Sequence, residues 1–242
     1  SNGSTWMDTR RDINLLRRPG KLGAVRYVVD IAKALPKMRG HDIVQLCTPI
    51  FLSLKPAKVR WVLDYLKRHN GKVVLSALAT DRVYYDACHD GHTYRYSDYH
   101  LGNEPSPFVG SHEYQAQEQE NWGKAFMKEH SDYVLGKIDG ATACLWEYYV
   151  AYKPVLGDRV VHTGIPIDTD GIAMRPLDEA PQKVRFFIGI QPTRTVLKGT
   201  DRMLDALKRV CAARPDECEM VVVEGVPYEQ YIEKMRSSHV LL

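Results

Sequence analysis

"DIVQLCTPIFLSLKPAKVRWVLDYLKRHNGKVVLSALAT", residues 42–80, changes periodicity twice within one short span. It begins with a β-rich run, "DIVQLCTP" (42–49). Val59, Val62, Leu63 and Leu66 then recur at helical spacing, with Pro56 where a helix opens and Asn70-Gly71 where one stops. "KVVLSALAT" (72–80) is β-rich again. Strand, helix and strand in succession make a βαβ unit, which requires a parallel sheet covered by helices. The chain is therefore expected to be α/β.

The same alternation extends to both sides. Residues 24–38 place Val25, Val28, Val29, Ala32 and Leu35 on one helical face. Residues 81–110 lack clear periodicity and hold Tyr84, Tyr85, Tyr94, Tyr96 and Tyr99; they read as a long loop, a feature usually tied to function. A polar helical stretch covers about 111–137, and "ATACLWE" (141–147) and "RVVHTGIP" (159–166) read as strands. The polar run "IDTDGIAMRPLDEAPQ" (167–182) follows, and then the pattern restarts. "VRFFIGI" (184–190) is a strand, and 200–213 a helix with Met203, Leu204, Leu207, Val210 and Cys211 on one face. "EMVVVEG" (219–225) is a strand, "PYEQYIEKMRSS" (227–238) a helix, and "HVLL" (239–242) the start of a strand. Two α/β domains result, residues 1–166 and 167–242.

Composition narrows the class. The 242 residues are 44% hydrophobic and 26% charged, with a net charge of +3 and acids interspersed among the bases. That balance argues against a dedicated nucleic-acid binder. No apolar run approaches the ~20 residues of a membrane span, and no signal-peptide pattern opens the chain. Cys47, Cys88, Cys144, Cys211 and Cys218 lack C-x-x-C spacing, so a reducing cytoplasm is the expected setting. Cys47, Cys144 and Cys211 lie in apolar patterns and read as small hydrophobes. The ends, "SNGSTW" and "SSHVLL", are those expected of a fragment.

Arg194 and Lys198 stand between a strand and a helix, where ligands bind in open α/β sheets. Thr200 reads as the N-cap and Asp201 as a first-turn acid. A helix N-terminus carries partial positive charge, and a guanidinium and an ammonium beside it suit a phosphate or diphosphate. From spacing alone the pair reads equally as two solvated loop charges, and neither a P-loop nor a G-x-G-x-x-G fingerprint is present.

"FFIGIQPTRTVLKGTDRMLDAL" (186–207) resembles the donor-site segment of GT-B glycosyltransferases, especially retaining family 4, with Gly189, Arg194, Lys198 and Gly199 matching in order. "VVHTGIPIDTDGI" (160–172) resembles that family's interdomain strand and linker through Ile165, Pro166, Ile167 and Asp168. "VVVEGVPYEQYIEKMRSSHVLL" (221–242) resembles the segment that follows. The resemblance covers about residues 160–242, and the earlier βα units by architecture only. It implies a GT-B architecture: two Rossmann-like domains with parallel sheets facing across a cleft, both incomplete in this chain. The implied activity moves a sugar, with retention, from a nucleotide diphosphate sugar to a saccharide or lipid-linked acceptor. Arg194 and Lys198 would be catalytic by neutralising the departing diphosphate. Gly189, Gly199, Thr200, Glu224 and Gly225 would complete the donor site. No metal and no other cofactor is implied; "CHDGH" (88–92) is the nearest metal-like cluster. The implied setting is the cytoplasm or the inner face of its membrane, with peripheral membrane association where the acceptor is lipid-linked.

The family's pattern is not complete here. Its glycine-rich loop would precede residue 1 and its glutamate pair would follow Leu242, so these residues alone are expected to bind donor poorly and not to turn over. Where many members carry a sugar-side histidine, this chain has Ala79, Thr80 and Asp81. Thr80 and Asp81 are candidates to touch the sugar, though Asp81 reads equally as a helix cap. Tyr84 and Tyr85 are candidate acceptor contacts or part of a packed cover. Trp146-Glu147, ending a strand, places Glu147 at the same edge. No histidine is given a catalytic role, and His112 and His130 read as surface residues. Two rivals remain: a non-catalytic GT-B module that binds nucleotide or phosphate, and a GT-B sugar-nucleotide epimerase.

Overall fold

A computed structural model describes residues 12–107, 109–110, 116, 120–167, 170, 181–196 and 198–242. The chain is α/β and forms two compact units, whose main division falls after Ile167. No helix among the described residues is long and apolar enough to cross a membrane.

The first unit runs α1 (Gly20–Ala34), β1 (Ile43–Leu46), α2 (Pro56–His69), β2 (Lys72–Ala77) and α3 (Arg82–His89). A small hairpin, β3 (His100–Leu101) and β4 (Glu104–Pro105), precedes α4 (Ala125–Lys137), β5 (Gly140–Ala143), α5 (Trp146–Leu156) and β6 (Val160–His162). The sheet order is β1-β2-β5-β6, parallel throughout. Because that order never reverses, right-handed crossovers carry α2 to α5 over one face. On that face register sets Val44 beside Val73, Leu46 beside Leu75, Ala77 beside Ala143 and Ala141 beside Val160. The α2 stripe predicted from sequence, Val59, Val62, Leu63 and Leu66, is buried in the same core. Each such side chain contributes roughly 1.5–3 kcal/mol over its exposed state. Ile43 and Val161, on the opposite face of the sheet, are 63% and 57% exposed.

Four sequence expectations are corrected. The core face of α1 is Tyr27, Ile31 and Ala34, while Val25, Val28, Val29 and Ala32 lie outward. Residues 81–110 are not one loop: Asp81 starts α3, and the β3–β4 hairpin follows. The strand read over 141–147 ends at Ala143, and Trp146-Glu147 opens α5 instead of closing a strand. Finally, Cys88 and Cys218 are the buried cysteines, whereas Cys47 is exposed and Cys144 and Cys211 are half-buried; all five are free thiols.

The second unit contains β7 (Val184–Ile190), α6 (Thr200–Ala213), β8 (Cys218–Glu224), α7 (Tyr228–Arg236) and β9 (Val240–Leu241). Its sheet order is β8-β7-β9, again parallel. The chain leaves β7 for β8 on one side and returns past it to β9 on the other, so the winding direction reverses at β7. Such a reversal sends α6 and α7 to opposite faces and opens a crevice beyond the carboxyl end of the central strand. The apolar face of α6 is only partly covered: Leu207 is buried, while Met203 and Val210 are 37% and 47% exposed.

Candidate functional site

The loop from Gln191 to Gly199 leaves the carboxyl end of β7 at this reversal. It starts with a 3-10 turn, Pro192–Arg194. The Lys198 N–H donates to the Arg194 carbonyl at 2.9 Å, that of Gly199 to Val196 at 3.1 Å and that of Thr200 to Thr195 at 2.9 Å. The Thr195 hydroxyl reaches back to the Pro192 carbonyl at 3.1 Å. A single closed turn therefore fixes the backbone separation of Arg194, which is half-buried, and Lys198, which is exposed.

Thr200 is not the cap. Gly199 is, at φ +65° with no side-chain hydrogen bond, and its carbonyl accepts from the Arg202 and Met203 N–H groups, both at 3.1 Å. The left-handed region is strained for a residue with a β-carbon and costs glycine nothing, so glycine suits this position. Thr200 is the first helical residue and is buried. Since the N–H groups of Lys198, Gly199 and Thr200 turn inward to loop carbonyls, an anion here would meet side-chain charge more than backbone dipole. Asp201, in the first turn, opposes part of that charge.

Gly189 has a packing role. A β-carbon on it would lie 3.0 Å from the Tyr231 hydroxyl and 3.1 Å from Cε2 of that ring. Tyr231 also meets Phe187 edge-on at 5.0 Å, so the glycine seats α7 on β7. Glu224 is the last residue of β8, beside Ile190 in the register, and Gly225 turns the chain beyond it. Both are exposed, and they stand next to the strand end from which the Arg194 loop departs. A shallow crevice lined by Tyr228, Ile232, Glu233 and Arg236 runs along α7 and includes none of the predicted donor residues.

In the first unit Asp81 is spent on structure. Its Oδ1 accepts from the N–H groups of Val83 at 3.0 Å and Tyr84 at 3.1 Å, capping α3, and its Oδ2 accepts from the Tyr152 hydroxyl. It is 3% exposed, and burial raises its pKa from 3.8 to about 6 against the lowering effect of those three donors. The helix-cap reading accounts for these bonds, and the carboxylate has no exposed edge for a sugar. Thr80, beside it, is half-buried.

The tyrosines are also largely engaged. Tyr84 packs edge-on to Tyr148 at 4.9 Å and near Tyr94 at 5.9 Å. Tyr85 is buried, against His89 at 4.0 Å and Tyr99 at 5.9 Å. Burial pushes the Tyr84 and Tyr94 phenols up, so both stay protonated donors. Tyr94 gives its hydrogen to the Glu147 carbonyl at 2.5 Å, which brings Tyr84, Tyr94 and Glu147 together as a braced corner. The packed-cover reading of this segment fits Tyr84 and Tyr85.

Beside that corner the accessible aromatic surface belongs to Trp146, 60% exposed. Its indole is set by Tyr149 at 5.0 Å and by His162 at 5.5 Å, nearly perpendicular. Glu147 is exposed next to it. His130, expected at the surface, is 1% exposed and its Nε2 lies 2.9 Å from the Pro49 carbonyl. Burial lowers its pKa, so the neutral ring donates that hydrogen and anchors the loop after β1. His112 lies outside the described residues. Among the described residues no group of three or more His, Cys, Asp or Glu is placed to hold a metal; in "CHDGH" Cys88 is buried, while His92 faces solvent.

Sequence reasoning missed Tyr152, Tyr231, Tyr149 and His162. Nothing local marks them: Tyr152 meets Asp81 across 71 positions, and only the fold brings them together. Comparison with protein-family models, curated proteins and solved structures yields no match to this chain.

Proposed function

We propose that the chain is part of a GT-B-type glycosyltransferase and that its second unit binds the diphosphate of a nucleotide sugar donor. The observation that carries this reading is the loop Gln191–Gly199: it leaves the central strand where the sheet order reverses, and it holds Arg194 and Lys198 one closed turn apart. Ligands of open α/β sheets bind at such reversals. A guanidinium fork and an ammonium on that loop would neutralise two phosphoryl groups, most strongly as the diphosphate leaves. Glu224 and Gly225, at the neighbouring strand end, would meet the nucleoside. In the reaction the anomeric carbon–oxygen bond to the diphosphate breaks, an acceptor hydroxyl oxygen bonds to that carbon, and the departing phosphate takes the hydroxyl proton.

Residues Gly189, Thr200 and Asp81 are reassigned within this reading: they seat α7, start α6 and cap α3. The acceptor contact moves from Tyr84 and Tyr85 to Trp146, with Glu147 beside it, because an exposed aromatic face suits a pyranose ring or a flat lipid. No metal is required by a site whose counter-charge comes from side chains.

Phosphorus NMR of UDP and GDP titrated with the full-length protein tests the reading. Broadening of the two phosphate resonances of one nucleotide, abolished in Arg194→Ala/Lys198→Ala, is expected. Unchanged resonances with both nucleotides would overturn it. A separate incubation with the sugar nucleotide distinguishes the rivals: an isomeric sugar nucleotide formed without acceptor identifies an epimerase, and binding by the full-length protein without product identifies a non-catalytic module.

A further inference from the structure

Helix α1 is apolar on both sides, and only one side is used. Tyr27, Ile31 and Ala34 enter the core. Directly opposite, Leu22, Val25 and Val29 fall at i, i+3 and i+7 and are 84%, 62% and 44% exposed. Val28, one turn from Val25, is 40% exposed, and Leu16, just before the helix, is 57% exposed. A helix that is hydrophobic all round is ordinarily buried all round. This one turns an uninterrupted aliphatic stripe to solvent.

The flanks of the stripe are basic. Lys21 lies along one side and Arg26 and Lys33 along the other; Arg17 and Arg18 precede the helix, and all five are exposed. Asp30 is the one acid from Leu16 to Ala34. The whole chain carries a net charge of +3, so the positive charge is concentrated here against an almost balanced remainder. Five cations around an aliphatic stripe would repel an equally basic second copy. They match a surface that is negative at its edge and hydrocarbon beneath it, the boundary of an anionic bilayer.

We infer that the outer face of α1 docks on anionic membrane lipid, with Leu22, Val25 and Val29 entering the acyl boundary and Arg17, Arg18, Lys21, Arg26 and Lys33 meeting the headgroup phosphates. This surface stands independently of the donor-site reading, since it lies in the first unit and uses none of the donor residues.

The test is co-sedimentation of the full chain with phosphatidylcholine vesicles and with equimolar phosphatidylcholine–phosphatidylglycerol vesicles. Binding to the anionic vesicles alone is expected, weakening as salt is raised. Leu22→Gln/Val25→Gln/Val29→Gln should lower the partition coefficient by about tenfold or more, and Arg26→Gln/Lys33→Gln by about tenfold. All the substituted side chains point to solvent, so the far-UV circular dichroism should not change, and UDP or GDP binding should be untouched. Equal sedimentation of the parent and the triple variant would overturn the inference. So would absence of binding to either vesicle, or a concentration-dependent dimer that the triple variant dissolves, which would make the stripe a contact between copies.

Discussion

Tyr152, inside α5, donates its phenolic hydrogen to the carboxylate of Asp81, the residue that caps α3. One side chain thus ties the start of α3 to the middle of α5 beneath the edge of the sheet where a sugar contact had been expected. Asp81→Ala removes the cap and strands the buried Tyr152 hydroxyl, and should cost about 2–4 kcal/mol. Asp81→Asn keeps acceptor and shape and should cost far less. Urea unfolding followed by tryptophan fluorescence measures this in the first unit, because all four tryptophans, Trp6, Trp61, Trp122 and Trp146, precede Ile167.

The same carboxyl group makes a signed pH prediction. Its folded pKa of about 6 is raised from 3.8, so between those values the folded chain holds a proton that the unfolded chain has released. Stability from this group therefore falls as pH rises through that window. His130 works the other way: its folded pKa is lowered, so its contribution is lost as pH falls below the ordinary imidazole value of 6.5. Replacing Asp81 by Asn should remove the first slope and leave the second. Unfolding midpoints measured from pH 4 to 7 in both chains, on the order of the span set by these groups, check it.

Tyr231 rests on Gly189 closely enough that a β-carbon there would have to displace its ring by a few tenths of an ångström. Gly189→Ala should destabilise the second unit by about 1–3 kcal/mol, as overpacking does. Gly189→Ala/Tyr231→Leu should recover part of that loss, because the two positions share one contact. Hydrogen exchange of peptides covering β7 reads the effect directly.

At Gly199 the positive φ gives a graded expectation. Gly199→Ala should cost about 1 kcal/mol and loosen the Arg194–Lys198 turn, while Gly199→Asn should cost less, since asparagine visits this region more readily. Thermal unfolding paired with nucleotide titration would show both effects moving together.

Much of the fold was legible because its periodic segments have one apolar face. The α2 stripe and the strand "VRFFIGI" needed no tertiary information. α1 misled because it is apolar on two sides, and periodicity alone does not choose which one meets the core. α3 was hidden in the tyrosine-rich stretch because it is short, and its start depends on a side-chain cap. "ATACLWE" stops being a strand after three residues because Trp146 begins α5, a choice made by packing against α3 and β6. In the candidate donor loop, Arg194 and Lys198 stand out in the sequence by charge and position. The roles of Gly189, Asp81 and His130 depend on partners far away in sequence, Tyr231, Tyr152 and Pro49, and only the folded chain names them.

The central claim is that Arg194 and Lys198 hold a donor diphosphate, and calorimetric titration of UDP and GDP into the full-length protein and its Lys198→Ala variant tests it most directly. The account predicts that one nucleotide binds and that the variant loses about 1.5–3 kcal/mol of its binding free energy, the contribution of a charge-assisted contact. Equal affinity in the two chains, or no binding of either nucleotide, would contradict it and leave the loop a charged turn at the end of β7.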